Sequence, residues 1–275
     1  MEALSPGRGD RLRRSAFAAG LLALATLPGA AARAHDFWIE PSTFRPAPGA
    51  SVAVGLRVGE QFLGDPVLRA GSAIERFVVR QDGHEAEIGG VDGGDPAGWF
   101  AASGGGAVIA YESRPTPIEL PAPRFEAYLH RYGLESIIAA RAKSGKRNEP
   151  GREQFSRQAK AILAGPRPAA AASRPVGLRY EIVPVGDPSF GTGTFRGRLL
   201  YEGEPAAGAL VTALLQGDPR LRRQTRSDAA GAFAFPLPRQ GVWLVESVLM
   251  VKAPFFSHAD WESLWASLTF ENRRR

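Results

Sequence analysis

The sequence predicts a mainly β protein: two β-sandwiches with a helical segment between them. Three observations point there. Short runs in which apolar residues alternate with polar or small ones, cut by glycine and proline, occupy both ends of the chain. One central stretch, from Pro121, changes to helical spacing. The run "PRPAAAASRP" that follows has the composition of a linker. With 275 residues, of which 32 are Gly and 22 Pro, the chain is long enough for two modest cores.

Residues 1–34 carry the three parts of a secretory signal: basic Arg11, Arg13 and Arg14, the apolar run "AFAAGLLALATLPGAA", and small Ala32 and Ala34 before a cut. The apolar run falls short of the ~20 residues of a spanning helix. Removal of this segment leaves a protein that is periplasmic or secreted and not membrane-spanning. Arg13-Arg14 fits twin-arginine export and ordinary secretion alike.

The N-terminal sandwich is expected over 35–118. "SVAVGLRVG" places Val52, Val54, Leu56 and Val58 on one face of a strand. "IERFVVRQDGHEAEIGG" reads as a hairpin turned at Asp82-Gly83, and "GAVIAYES" closes the set. A helical insert is expected over 119–165. In "PAPRFEAYLHRYGLESIIAARAKSG", Phe125, Leu129, Tyr132, Ile137 and Ile138 recur at helical spacing, with a break near Gly133. "REQFSRQAKAILAG" reads as a second helix ending at Gly165. After the linker at 166–176, strands return over 177–275. There "LYEGEPAAGALVTALL" and "TRSDAAGAFAFPLPRQGVWLV" resemble the transthyretin-like or carboxypeptidase-regulatory type of sandwich, one of the immunoglobulin-like architectures.

Composition excludes several functions. The chain has no cysteine, so disulfide scaffolds, thiol chemistry and thiolate metal sites are out. The net charge of +6 belongs partly to the signal, which holds five arginines and two acids; 29 basic and 26 acidic residues remain, a net +3. That near balance gives no footprint for nucleic acid. Glu126, Glu135, Glu149 and Glu153 read as solvated helix carboxylates, and the tryptophans as packing. No acid–base pair, nucleophile elbow or phosphate loop is evident, so an enzyme is not expected.

The cut after Ala34 makes His35 a first residue, whose α-amine and ring Nδ1 together chelate one metal ion. Nitrogen donors suit copper, nickel, cobalt and zinc rather than calcium or magnesium, and an α-amine loses its proton near pH ~8. The bland alternative is a polar residue that starts a strand anchored by Phe37 and Ile39. His258, in a loop with Asp260 and Glu262, is the candidate for a third nitrogen. His84, beside a turn, and His130, one helical turn after Glu126, read as surface residues.

Taken in order, "AHDFWIEPSTFRPAPG", "DPAGWF", "REQFSRQAKAIL", "LRYEIVPVGDP" and "DWESLWASLTFE" resemble an exported family formerly of unknown function. That family is labelled the nickel uptake substrate-specific region, or the periplasmic component of a cobalt transport system. The resemblance implies an accessory protein that binds or delivers one transition-metal ion (nickel, cobalt or copper), with no organic cofactor and with a membrane metal transporter or envelope protein as partner. The family pattern has a His where this chain has Leu249, so the resemblance supplies no second ligand. Two other readings stand beside it: a metal-free structural or protein-interaction module of the cell envelope, and a copper oxidative enzyme built on a histidine brace.

Overall fold

The computed structural model describes residues 35–191 and 193–273. The expected signal, 1–34, lies outside the described residues. Strands β1 (Asp36–Pro41), β2 (Ser51–Glu60), β3 (Leu63–Pro66), β4 (Ile74–Gln81), β5 (His84–Glu87), β6 (Gly98–Ala101), β7 (Ala107–Ser113) and β8 (Thr116–Leu120) come first. Helices α1 (Ala122–Arg131) and α2 (Glu135–Lys143) follow, then β9 (Gly151–Leu163). The rest comprises β10 (Tyr180–Pro184), β11 (Thr194–Tyr201), β12 (Glu204–Pro205), β13 (Leu210–Leu215), β14 (Asp218–Arg226), β15 (Ala232–Pro236), β16 (Gly241–Lys252) and β17 (Trp261–Asn272).

The mainly β, sandwich-like expectation holds, and its layers number three. A nine-stranded sheet, ordered β14-β13-β16-β17-β9-β7-β4-β5 with β8 also on β9, forms the middle. Residue parity along its strands sorts two cores. Ala213, Val245, Leu268 and Ile162 face the sheet of β10, β11, β12 and β15, where they meet Ile182, Phe195 and Phe233. Val79, Ile109, Ala161 and Leu163 face the sheet of β1, β2, β3 and β6, where they meet Phe37, Ile39 and Val54. On that second face α1 and α2 cover the far ends of β16 and β17, burying Phe125, Leu129 and Ile137 against Met250, Trp261 and Trp265. Covering both faces explains why β17 is buried over almost its whole length.

Local signals were accurate where turn chemistry is local. Asp82 and Gly83 both take positive φ, +51° and +79°, the requirement of the two-residue turn joining β4 to β5. α1 presents Phe125, Tyr128 and Leu129 inward, and Gly133 at φ +65° breaks the run into two helices.

Two expectations fail. The segment expected as a second helix, 152–165, is β9, which pairs in parallel with β17 from Trp261↔Glu153 to Phe270↔Ile162 and antiparallel with β7 and β8. Its helix-forming residues lose to two flanking strands, because pairing and burial on both faces outweigh intrinsic propensity. The run 166–176, expected as a boundary between independent sandwiches, instead joins halves that share the central sheet. Glu181 holds the end of that run: its carboxylate accepts the N–H groups of Val176, Gly177 and Leu178 at 2.8, 2.9 and 3.2 Å. It also takes the Lys160 ammonium at 2.7 Å, with both side chains almost fully buried.

Candidate functional site

The chemistry concentrates where β1 begins. β1 lies antiparallel on β2, with Asp36 opposite Gly59, so the start of β1 and the end of β2 sit together. α1 ends against the same place, since the turn at Gly133 brings Arg131 and Tyr132 to the strand. Tyr132 is fixed by an edge contact with Trp265, centroids 4.7 Å apart, and Tyr128 stacks on the same indole at 5.6 Å.

Within this corner the buried His35 Nδ1 lies 3.3 Å from Glu60 Oε1, within reach of it but without the geometry of a well-formed hydrogen bond. Arg131 donates to the same Glu60 oxygen at 2.7 Å and approaches Asp36 at 3.9 Å. Burial opposes ionisation of Glu60, but the Arg131 hydrogen bond and charge, with His35 beside it, hold its carboxyl below the usual range. Asp36 is 2% exposed and accepts the Tyr132 hydroxyl at 2.7 Å. Behind it stands Glu246 of β16, also buried. Burial raises the Glu246 carboxyl well above its ordinary value, and the Asp36 charge and hydrogen bond raise it further. Burial and then Asp36 likewise push the Tyr132 phenol upward. The corner is a chain of groups, His35, Glu60, Arg131, Asp36, Tyr132 and Glu246, running from half-exposed surface into the sheet.

His258 is elsewhere. It is exposed in the loop between β16 and β17, a hairpin closed by Ala253 N–H donating to Asp260. Glu246, behind the His35 corner, pairs with Ser267 on β17, six positions along the strand from Trp261, where the His258 loop rejoins the sheet, so about 20 Å of strand at ~3.3 Å per residue separates the two regions. The acids expected beside His258 are engaged too: Arg152 holds Asp260 with two bonds of 3.1 Å, and Arg179 and Gln154 hold Glu262 at 2.9 and 3.1 Å. The structure does not bring His35 and His258 together. His84 and His130 are exposed; Glu126, the expected partner of His130, lies against Arg141 and Arg147 instead. Among the described residues no three of His, Asp and Glu form a group that could hold a metal ion.

Sequence reasoning missed Asp36, Glu60, Arg131, Tyr132 and Glu246. One signal was present: Glu246 is a lone carboxylate inside "VWLVESVLMV", and an acid in an apolar strand must find a partner or a proton. Glu153, expected on a solvated helix, is 1% exposed on β9; burial raises its carboxyl to about 7 against the hydrogen bonds of Tyr128 and Ser263. A cleft of about 580 Å³ lies nearby, floored by Trp38, Phe62 and Val242. Its charged rim is internally paired, Arg57 with Glu40 and Asp95, and Arg45 with Glu271.

No curated protein matches the chain. Among solved structures, a tetra-tandem repeat from the extending region of a large adhesion protein is similar over 88% of this chain and 50% of that one, at 11% identity. The chain therefore spans about half of that structure's length, and the TM-score of 0.22 is too low to support a fold relationship. The model of one family does match, over residues 32–250, which include the His35 corner, and the chain belongs to that family, described as a domain of unknown function (DUF4198).

Proposed function

We propose that the mature protein is an exported, periplasmic accessory protein that binds or delivers a transition-metal ion, nickel, cobalt or copper, for uptake. His35 is the anchor, through its α-amine and ring Nδ1. One observation carries this reading: Nδ1 is buried with a single carboxylate oxygen in reach, 3.3 Å away and without well-formed hydrogen-bond geometry. A buried ring nitrogen in that state is either a defect or a donor waiting for a ligand. Glu60 is near enough to add an oxygen. Imidazole, amine and carboxylate together suit nickel, cobalt or copper. The side chains alone make no three-donor group among the described residues, so the reading requires the amine released by a cut after Ala34. The resemblance to an exported family labelled for nickel and cobalt transport supports the same choice of metals, with a membrane metal transporter as the partner receiving the ion.

Calorimetric titration with nickel, cobalt and copper tests it, on protein starting at His35 and on protein with one extra residue before it. The extension keeps every side chain and displaces only the amine. Affinity should fall by tenfold or more, about 1.4 kcal/mol, and similarly for His35→Ala. Equal affinity in the native-start and extended forms rules the amino-terminal chelate out.

A further inference from the structure

The tip of the β16–β17 hairpin departs from the rest of the surface. Phe255 and Phe256 are 106% and 88% exposed. Two adjacent phenylalanines held fully in water contribute nothing to this chain's own core, and such a patch marks an interaction site. The hairpin is braced rather than slack: Ser257 Oγ donates to Gln154 Oε1 at 2.9 Å, and Asp260 N–H to the Arg152 carbonyl at 2.9 Å. Fixed to β9 in this way, the loop holds both rings outward.

The surroundings are cationic. Lys146 and Arg152 both reach Asp260, which ties the loop after α2 to the hairpin. Lys143 and Arg147 are exposed on that stretch, and Lys252 rests its ammonium over the Trp261 ring at 4.4 Å. Against these five cations stand the exposed carboxylates Glu119 and Glu149, Glu126 beside Arg147, and Asp260, shared by Lys146 and Arg152. A convex tip of two apolar rings with cations around its base matches a fluid, negatively charged surface: the rings enter the boundary between headgroups and acyl chains while lysine and arginine stay at phosphate level.

We propose that Phe255 and Phe256, with the basic residues of 143–152 and Lys252, dock the protein on a bilayer containing anionic phospholipid. This is peripheral attachment, consistent with the absence of a membrane-spanning helix among the described residues, and it does not depend on the metal reading.

The test uses protein starting at His35, since residues 34–275 form one compact unit and the apolar run before it would itself partition into lipid. Co-sedimentation is measured with vesicles of phosphatidylcholine alone and of phosphatidylcholine with phosphatidylglycerol, with chelator present. Binding should require phosphatidylglycerol and weaken with salt. It should fall by about tenfold or more in Phe255→Ser/Phe256→Ser, whose thermal midpoint should match the parent because neither ring packs internally. Phe256→Trp should show blue-shifted emission on adding the anionic vesicles. No sedimentation, or sedimentation untouched by the double substitution, overturns the proposal. Phenylalanine-dependent capture of an envelope protein without vesicle binding also overturns it and assigns the tip to a protein partner.

Discussion

Two buried ionic clusters sit on opposite faces of the central sheet and solve the same problem differently. On one face Lys160 and Glu181 have opposite charges, 2.7 Å apart, and Glu181 accepts three backbone N–H groups as well. Lys160 donates its remaining reach to the Ile182 carbonyl at 2.9 Å. On the other face two carboxyls of like kind, Asp36 and Glu246, lie together, and burial with the Asp36 charge raises the Glu246 carboxyl well above its ordinary value. The first cluster is complete and fastens the 166–176 run to the sheet. The second is incomplete, opens toward His35, and leaves a buried ring nitrogen with only a poorly aligned carboxylate beside it. Full satisfaction is what structure requires; the unfinished cluster is where a ligand has something to gain.

The largest expected effect comes from breaking the complete cluster. Lys160→Met leaves the Glu181 charge buried without its cation and should lower unfolding stability by about 3–5 kcal/mol. Urea unfolding measures it, and a loss under ~1 kcal/mol would mean that the backbone N–H groups alone hold the carboxylate. Next is a third buried acid, Glu153, whose carboxyl titrates near 7 in the folded protein against an ordinary 4.5. The folded state binds the extra proton between those values, so stability should be highest below pH 4.5 from this group and should fall by about 3 kcal/mol as pH rises through 7. Unfolding followed at pH ~5 and pH ~8 checks the slope, and Glu153→Gln should flatten it.

Two smaller effects sharpen the contrast from the incomplete side. Tyr132→Phe removes the hydroxyl that Asp36 accepts and should destabilise by about 2 kcal/mol, the range for a hydrogen bond to a charged group. Glu246→Gln keeps the shape and a donor but abolishes the proton uptake that folding now requires. It should stabilise the protein at neutral pH, and the gain should shrink as pH falls toward the unfolded carboxylate range. Destabilisation at neutral pH would show that Asp36 and Glu246 do not compete for a proton.

Much of the fold was legible because its signals are short-ranged. The alternation of Val52, Val54, Leu56 and Val58, the Asp82-Gly83 turn and the helical spacing of α1 each report on a few neighbours. β9 was not legible in that way. Gln158 and Lys160 alternate with Ala159 and Ala161, a period of two, but its polar half looks exposed until Glu181 arrives from beyond the 166–176 run. The site divides along the same line. His35 could be read from Ala32 and Ala34 beside it, whereas Glu60, Arg131, Tyr132 and Glu246 come from separate stretches of chain that only folding assembles. The pairing expected for His258 failed for the same reason: nearness in a loop's sequence says nothing about distance along a sheet.

The parallel pairing of β9 with β17 also bears on how the protein is made. As the chain emerges from its amino end, β4, β5, β7, β8 and β9 are all present long before Trp261 is. Until β17 arrives, one edge of β9 lies open, Ile39 lacks the Thr269 hydroxyl that donates to its carbonyl at 2.8 Å, and the aromatic residues of α1 have no Trp265 to rest on. A contact spanning that much sequence forms late and slowly. The amino-terminal half therefore lacks a neighbour along one edge of its sheet until the carboxy-terminal strand is present. The central sheet is completed only when the last strand is in place.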